Sequence, residues 1–440
     1  MRGIPRLPET LAARFEKTAK GDEDKASARA PKPAARSQTD SVGVAQYAIG
    51  LNRQRAATPA RDRGLILPVQ SEGQEDHLRQ SFIGKGLFLA RQDQWDVLGK
   101  LVRDTDHARE VTSEGTGAAS LLALGARSDF VQAARAAIGE GDVPPEELIE
   151  ALEEALEEAP ECWGLNAVIA LTHIEIGLAA HADAATRPDT DHPILRAHFD
   201  RAAELLAPHD ARAERSVVLA EARCQLMMGA EDAGDRIGAD YAALIELDPG
   251  NPAHMRRYGL RLLPDWYGSF EALDDAAHDT AERTEETWGE GGYTWVWLDA
   301  LRCAPEAAER IDIDRYIEGL DDILARRGTQ HIVNILAAHA GVAMAATNAP
   351  EDIPDEARCN RGHIHARFGR ILRGHLRELH PRHWAEARMS PFDLTPGPAM
   401  LAEKGEGIAR CLIARHFGSE LAAGQVVTFS PRGLELHTPA

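Results

Sequence analysis

Aromatic residues are scarce in this chain of 440 residues, at 5% of the total. Its apolar packing therefore falls to Ala, Leu, Val and Ile. Cysteine is sparse too. Cys162, Cys224, Cys303, Cys359 and Cys411 are scattered with no C-x-x-C pair, a pattern of reduced thiols that excludes a disulfide framework. Long apolar runs are missing. The most apolar stretch, "IVNILAAHAGVAMAA", has 15 residues and includes Asn334 and His339, against the roughly 20 that a membrane-spanning helix needs. The opening "MRGIPRLPETLAARFEKTAK" holds no uninterrupted apolar core of a signal peptide, so the expectation is a cytoplasmic protein with no membrane partner. Positive charge is short as well. The formal net charge is −21, yet residues 1–70 carry 13 Lys and Arg against seven Asp and Glu. An acidic body repels phosphate backbones, which disfavours nucleic acid as a partner.

What the chain does have is helical periodicity. Residues 18–41, rich in charge, Ala, Pro and Ser, cannot bury enough surface to fold, and they place a disordered basic arm at 1–41. Short helices are expected at 8–17 and 42–56. From residue 71, Leu78, Phe82, Leu89, Trp95, Leu98, Leu101 and Val102 recur at helical spacing and predict a hairpin of two helices. Further helices are expected at 114–124, 128–139, 145–158, 162–182, 193–206, 212–229, 234–247 and 252–263. The series continues at 269–288, 293–303, 312–327, 329–346, 355–379 and 398–417. Asn251 followed by Pro252 marks a helix start, since Asn accepts an orphan N–H and Pro lacks one. Gly289 suits a helix stop. Period 2 appears only in "QVVTFSPRGLELHTP", a small hairpin around Ser-Pro-Arg-Gly. These signals divide the chain into the arm at 1–41, helical hairpins at 42–140, a helical array at 141–390, and a helix-plus-hairpin cap at 391–440.

Three stretches share a layout. Tyr241 to Pro249, Leu152 to Pro160 and Phe199 to Pro208 each place a large apolar residue eight or nine positions before a helix-ending Pro, and another helix follows. The layout resembles the tetratricopeptide repeat, whose second helix carries an aromatic and small residues ahead of a closing Pro. The intervals between these prolines exceed the ~34 residues of that family, and "CWGLNAVIAL" holds Trp and Gly at different spacing. The resemblance implies an all-α fold, an irregular tetratricopeptide-like solenoid of helix hairpins with a small C-terminal β-hairpin. It also implies a scaffold that binds extended peptides in a helical groove.

Several clusters could carry function. Trp266, Trp288, Trp295 and Trp297 crowd the middle of the chain, either as a packed junction or as an aromatic pocket, and Trp295, off the Trp297 stripe, is the one expected at the surface. Asn166, Ala170, His173 and Gly177 are spaced 4, 3, 4, as are Asn334, Ala338, Gly341 and Ala345. Each set lays one Asn and small residues along a single helix face, for close packing or for a groove. His254, Arg257 and Arg261 form a cationic row that fits either an acidic peptide or a neighbouring acidic helix. Residues 356–388 hold eight Arg and three Glu, together with Cys359, His363, His365, His375, His380 and His383. On a helix His363 and His365 diverge, His375 and His380 are five apart, and no H-E-x-x-H or C-x-x-C supports them, so neither a metal centre nor any cofactor is expected. The segment reads as an internal strap or as a docking face for an anionic partner. "FIGKGLF" lacks the Ser/Thr of a phosphate loop, "SEGTGAAS" lacks the strand of a dinucleotide fingerprint, and no G-x-S-x-G occurs. The expectation is a non-catalytic adaptor binding a protein or peptide through Asn166, His173, His254, Arg257, Arg261 and Trp295. The alternatives are an enzyme with its site near 356–388, or a nucleic-acid-associated factor using the basic segments.

Overall fold

The computed structural model describes residues 64–70, 73–181, 186–392 and 398–438. The basic arm and the helices expected at 8–17 and 42–56 lie outside them. In chain order, the described residues begin with β1 (Leu65–Ile66), α1 (Gly73–Arg91), α2 (Trp95–His107), α3 (Ala118–Glu140) and α4 (Glu146–Glu158). Next come α5 (Trp163–Ala179), α6 (Pro193–Leu206), α7 (Val217–Leu226), α8 (Ala233–Leu247) and α9 (Pro252–Arg261). The middle holds α10 (Phe270–Trp288), α11 (Gly291–Cys303), α12 (Ile313–Arg327) and α13 (Gln330–Ala338). The chain closes with α14 (Asp355–Ala366), α15 (Phe368–Gly374), α16 (Pro381–Glu386), α17 (Pro398–His416), α18 (Gly418–Ala422), β2 (Val426–Ser430) and β3 (Gly433–His437). The fold is thus mostly helical with one small sheet. No helix among the described residues is long and apolar enough to cross a membrane.

Helix starts follow the local chemistry. The Asn251 side chain accepts from the Ala253 N–H at 3.1 Å with Pro252 in the first turn, while Ser216, Ser269, Asp312 and Thr329 cap α7, α10, α12 and α13 in the same way. Each such cap is worth about 1 kcal/mol. Neighbouring helices pair closely, α1 on α3, α5 on α6, and α11 between α9 and α10. Small residues set the approach. A Cβ at Gly86 of α1 would run into the Leu122 carbonyl of α3, and one at Gly125 of α3 into the Ile83 carbonyl of α1. The buried apolar side chains form a single continuous cluster from Leu65 to Phe429.

Four departures from the sequence expectation matter. The helices expected at 114–124 and 128–139 are one helix, α3, because Arg127 turns inward and its Nη2 pairs with Glu175 of α5 at 2.6 Å. Residues 110–117 are left as a tight reversal closed by the Val111–Gly117 bridge. The helix expected at 329–346 switches after Ala338 to a π-turn over His339–Ala343, with His339 Nε2 lying 2.9 Å from the Tyr316 hydroxyl. The helix expected at 355–379 is broken in two and ends at Gly374, after which the chain runs extended to His380.

The C-terminal hairpin is present, with Val426 facing His437 and Ser430 facing Gly433. It is joined by β1, which pairs parallel to β2. Two residues carry no periodic signal, so β1 was not legible; the Val427 N–H donates to the Gly64 carbonyl at 2.6 Å and fixes it there. A second short contact pairs Val69 with Leu379, Gln70 N–H donating to the Leu379 carbonyl at 2.8 Å. Residues just before α1 therefore lie against the extended run that ends at His380.

Candidate metal centre

Most residues singled out from the sequence as partner-binding are interior. Trp295, the tryptophan expected at the surface, is 0% exposed, and Trp288, Trp297 and Tyr293 are buried beside it. That expectation is corrected: α11 is enclosed by α9, α10 and α12, so both of its faces are covered. Asn166 is buried and donates to the Pro160 and Cys162 carbonyls at 2.8 and 3.1 Å. His173 is buried with its Nδ1 lying 2.8 Å from Nδ1 of His198. His254 is buried with its Nε2 3.1 Å from Asp248 Oδ2. Arg261 covers the Trp266 ring at 4.0 Å. Only Arg257 of the six stands in solvent, 58% exposed and 3.6 Å from Glu221. These residues do not form one surface.

The His/Arg-rich segment behaves differently. Several of its arginines turn to acidic groups and carbonyls, Arg370 to Asp321 at 3.1 Å and Arg373 to Glu420 at 2.8 Å. Two of its histidines, His380 and His383, meet residues from far away. Glu114, His331, His380 and His383 each offer one donor atom, and the four atoms all lie within 4.8 Å of one another. Glu114 Oε1 is 3.6 Å from His331 Nδ1 and 3.8 Å from His380 Nδ1, while His331 Nδ1 is 3.0 Å from His383 Nε2. Donors at zinc–nitrogen bond lengths on a regular tetrahedron stand about 3.3 Å apart. The cluster is close to that size.

Each donor is held by its own neighbourhood. Glu114 sits in the reversal 112–115, where the Gly115 N–H returns to the Thr112 carbonyl at 3.0 Å and Gly115 takes φ +83°, a value glycine alone adopts without strain. Buried Glu75 of α1 accepts from Ser113 Oγ at 2.6 Å and from the Glu114 N–H at 3.1 Å, and so pins the turn. His331 lies in the first turn of α13, immediately after the cap Thr329 and Gln330. The same helix grips the extended run before His380. Gln330 Oε1 accepts from the N–H groups of Arg377 and Glu378, and Gln330 Nε2 donates to the His375 carbonyl. Asn334 Nδ2 donates to the Glu378 carbonyl at 2.9 Å; its Oδ1 accepts from the His380 N–H at 3.0 Å and from Trp384 Nε1 at 2.9 Å. A Cβ at Gly405 of α17 would strike the Pro381 carbonyl, so α17 presses directly on the link between the two histidines.

The far sides of two of the three rings carry carboxylates. Glu378 Oε1 accepts from His380 Nε2 at 3.2 Å, and Glu386 Oε2 lies 3.3 Å from His383 Nδ1. A carboxylate on one ring nitrogen fixes the proton there and leaves the other as a bare lone pair, the arrangement found behind metal-bound imidazoles. The lone pair of His380 is unused: its Nδ1 is buried and has no hydrogen-bond partner. Burial pushes the Glu114 carboxyl up, but protons on the facing His331 and His380 rings outweigh it and hold it well below the usual carboxylate range; a metal ion would take the place of those protons. Burial likewise lowers the His383 pKa and favours the neutral ring that ligates metal. Glu386 feels burial raising it, yet His383 and Arg382 bring it down to about 2.

The absence of a metal expected from helical histidine pairs does not extend to His380 and His383, because His380 precedes the first residue of α16. Two members, Glu114 and His331, were not singled out at all. The only trace of Glu114 was the Gly-rich "SEGTGAAS", dismissed as a nucleotide loop. No family model, curated protein or solved structure matches this chain, so the chemistry of the site rests on its own geometry.

Proposed function

We propose that this is a metal-binding helical protein in which one divalent first-row ion, zinc foremost, is held by Glu114, His331, His380 and His383. The observation that supports it is the convergence of four donor atoms from three separate parts of the chain, one of them a buried imidazole nitrogen with no partner. Three imidazoles and one carboxylate match zinc and its neighbours, whereas magnesium and calcium want oxygen donors. Four protein donors complete a tetrahedron and leave no open position for an activated water, so the ion is structural rather than hydrolytic. Its effect is to tie the 112–115 turn to α13 and to the segment before α16.

The interaction role implied by the tetratricopeptide resemblance stands beside this as a proposal supported by the helical pairs alone. Its partner would meet a surface other than Asn166, His173, His254 and Trp295, which are buried.

The test is a titration of full-length protein, purified without a histidine tag and stripped with chelator. Zinc should bind at one ion per chain, and cobalt should give the intense visible bands of a tetrahedral site. His331→Ala and His383→Ala should each remove both signals. Equal binding by parent and variants, or no stoichiometric binding, overturns the assignment.

A further inference from the structure

A second feature lies past the C-terminal end of α16. A cavity of about 490 Å³ is lined by Arg302 of α11, Arg361 of α14 and Arg388, with Trp266, Phe270 and Phe392 among its apolar walls. That volume falls within the range of small-molecule sites. Trp266 is buried, stacked on Phe392 with ring centroids 5.2 Å apart, so the aromatic wall is rigid.

Arg361 is the anomaly. Its residue is 3% exposed, yet its guanidinium meets only main-chain carbonyls, Leu301 at 3.0 Å and Ala343 at 2.7 Å. Among the described residues no carboxylate lies within ion-pairing distance of it. Its Nε is buried without an acceptor, and so is the Nε of Arg302. A buried guanidinium without a counter-charge is unfavourable, and burial alone drives the Arg361 pKa down. Arg302 shares Asp299 with Arg256, so that carboxylate is already committed. Arg388 is exposed and has no acidic partner among the described residues. Asp265 and Glu306 also line the cavity, but both are exposed and solvated, which leaves the interior charge positive.

We infer that this cavity binds a small organic anion with a flat apolar body, its oxyanion meeting Arg361 and Arg388 and its body lying against Trp266, Phe270 and Phe392. Guanidinium groups pair oxyanions through directed hydrogen bonds and are the residues of choice where the pair is buried. Aromatic walls supply area for a planar body at little entropic cost. The inference is independent of the metal centre.

The probe is 8-anilinonaphthalene-1-sulfonate, an aromatic body with one sulfonate, compared with its uncharged analogue N-phenyl-1-naphthylamine on the full chain. Saturable fluorescence at one site per chain is expected, with the neutral analogue bound about tenfold more weakly or worse. Arg361→Met should cost about tenfold or more in sulfonate affinity and leave the neutral analogue unchanged. Should Arg361→Met fail to fold, Arg388→Gln decides, because Arg388 is exposed and its loss spares the core; a weakening of about threefold or more is expected. Equal affinity for the charged and neutral probes overturns the inference, as does unchanged sulfonate binding in Arg388→Gln.

Discussion

His331 Nδ1 lies 3.0 Å from His383 Nε2, across 52 residues of chain. Two imidazole nitrogens at that distance must share one proton, or share a cation. With Glu386 at the far nitrogen of His383 and Glu378 at the far nitrogen of His380, the inward lone pairs favour the cation. Glu378→Gln removes the charge behind His380 and keeps the shape. It should weaken zinc by about tenfold to a hundredfold while one ion per chain still binds. Competition against a chelating indicator reads the change, and an unaltered affinity would detach Glu378 from the site.

Asn334 makes the run before His380 stand still. It is fully buried and uses both halves of its amide, donating to the Gln330 and Glu378 carbonyls and accepting from His380 and Trp384. Asn334→Asp is nearly isosteric but turns a double donor into an oxygen facing two carbonyls. It should destabilise the protein by about 3 kcal/mol, since each buried group left unsatisfied costs about 1–3 kcal/mol. Denaturant melts of the metal-free protein measure this apart from any effect on zinc.

The helices were legible because their signals are local. Asn251-Pro252 announces a cap, and the structure uses the Asn251 side chain as one. The C-terminal hairpin was legible for the same reason. The site was not, because nothing in the neighbourhood of His331 says that it will face His383. His375 and His380, five positions apart, read as a poor chelating pair on a helix, whereas the helix ends at Gly374 and His380 converges instead with His383. That ending depends on Gln330 and Asn334 supplying hydrogen bonds to the extended run, a relationship across more than 40 residues. Trp295 failed for a related reason: the Trp297 stripe predicted one covered face of α11, but the helix packs against α9, α10 and α12, and the Trp288 ring of α10 meets Trp295.

Stability should fall in mild acid through the His173–His198 pair. Burial pushes His198 down to about 4 and His173 well below its usual value, so both are neutral when folded. An unfolded histidine takes up a proton near its ordinary pKa of about 6.5. The unfolded chain therefore binds more protons between about 6.5 and 4, and the contribution is intact above that window and lost as pH falls through it. For His198 this amounts to about 2 kcal/mol between about pH 7 and about pH 5. His198→Asn, which cannot titrate, should lose about that much less than the parent over the same interval in urea melts.

Two glycines on α17 give a matched pair for the packing behind the metal centre. Gly405 is buried with the Pro381 carbonyl where a Cβ would go, whereas Gly407, two positions on, is exposed with nothing within 4 Å of that point. Both are helical, so replacement by Ala gains about 1 kcal/mol of helix propensity at each. At 407 the gain should be realised in full, and Gly407→Ala should melt slightly higher than the parent. At 405 the methyl must push α16 away, and overpacking of this kind costs about 1–3 kcal/mol. Since Pro381 sits between His380 and His383, the displacement falls on the two ligands. Gly405→Ala should therefore melt lower and also bind zinc more weakly, with zinc affinity unchanged in Gly407→Ala. If Gly405→Ala lost stability yet kept full zinc affinity, α17 would support the fold without positioning the ligands.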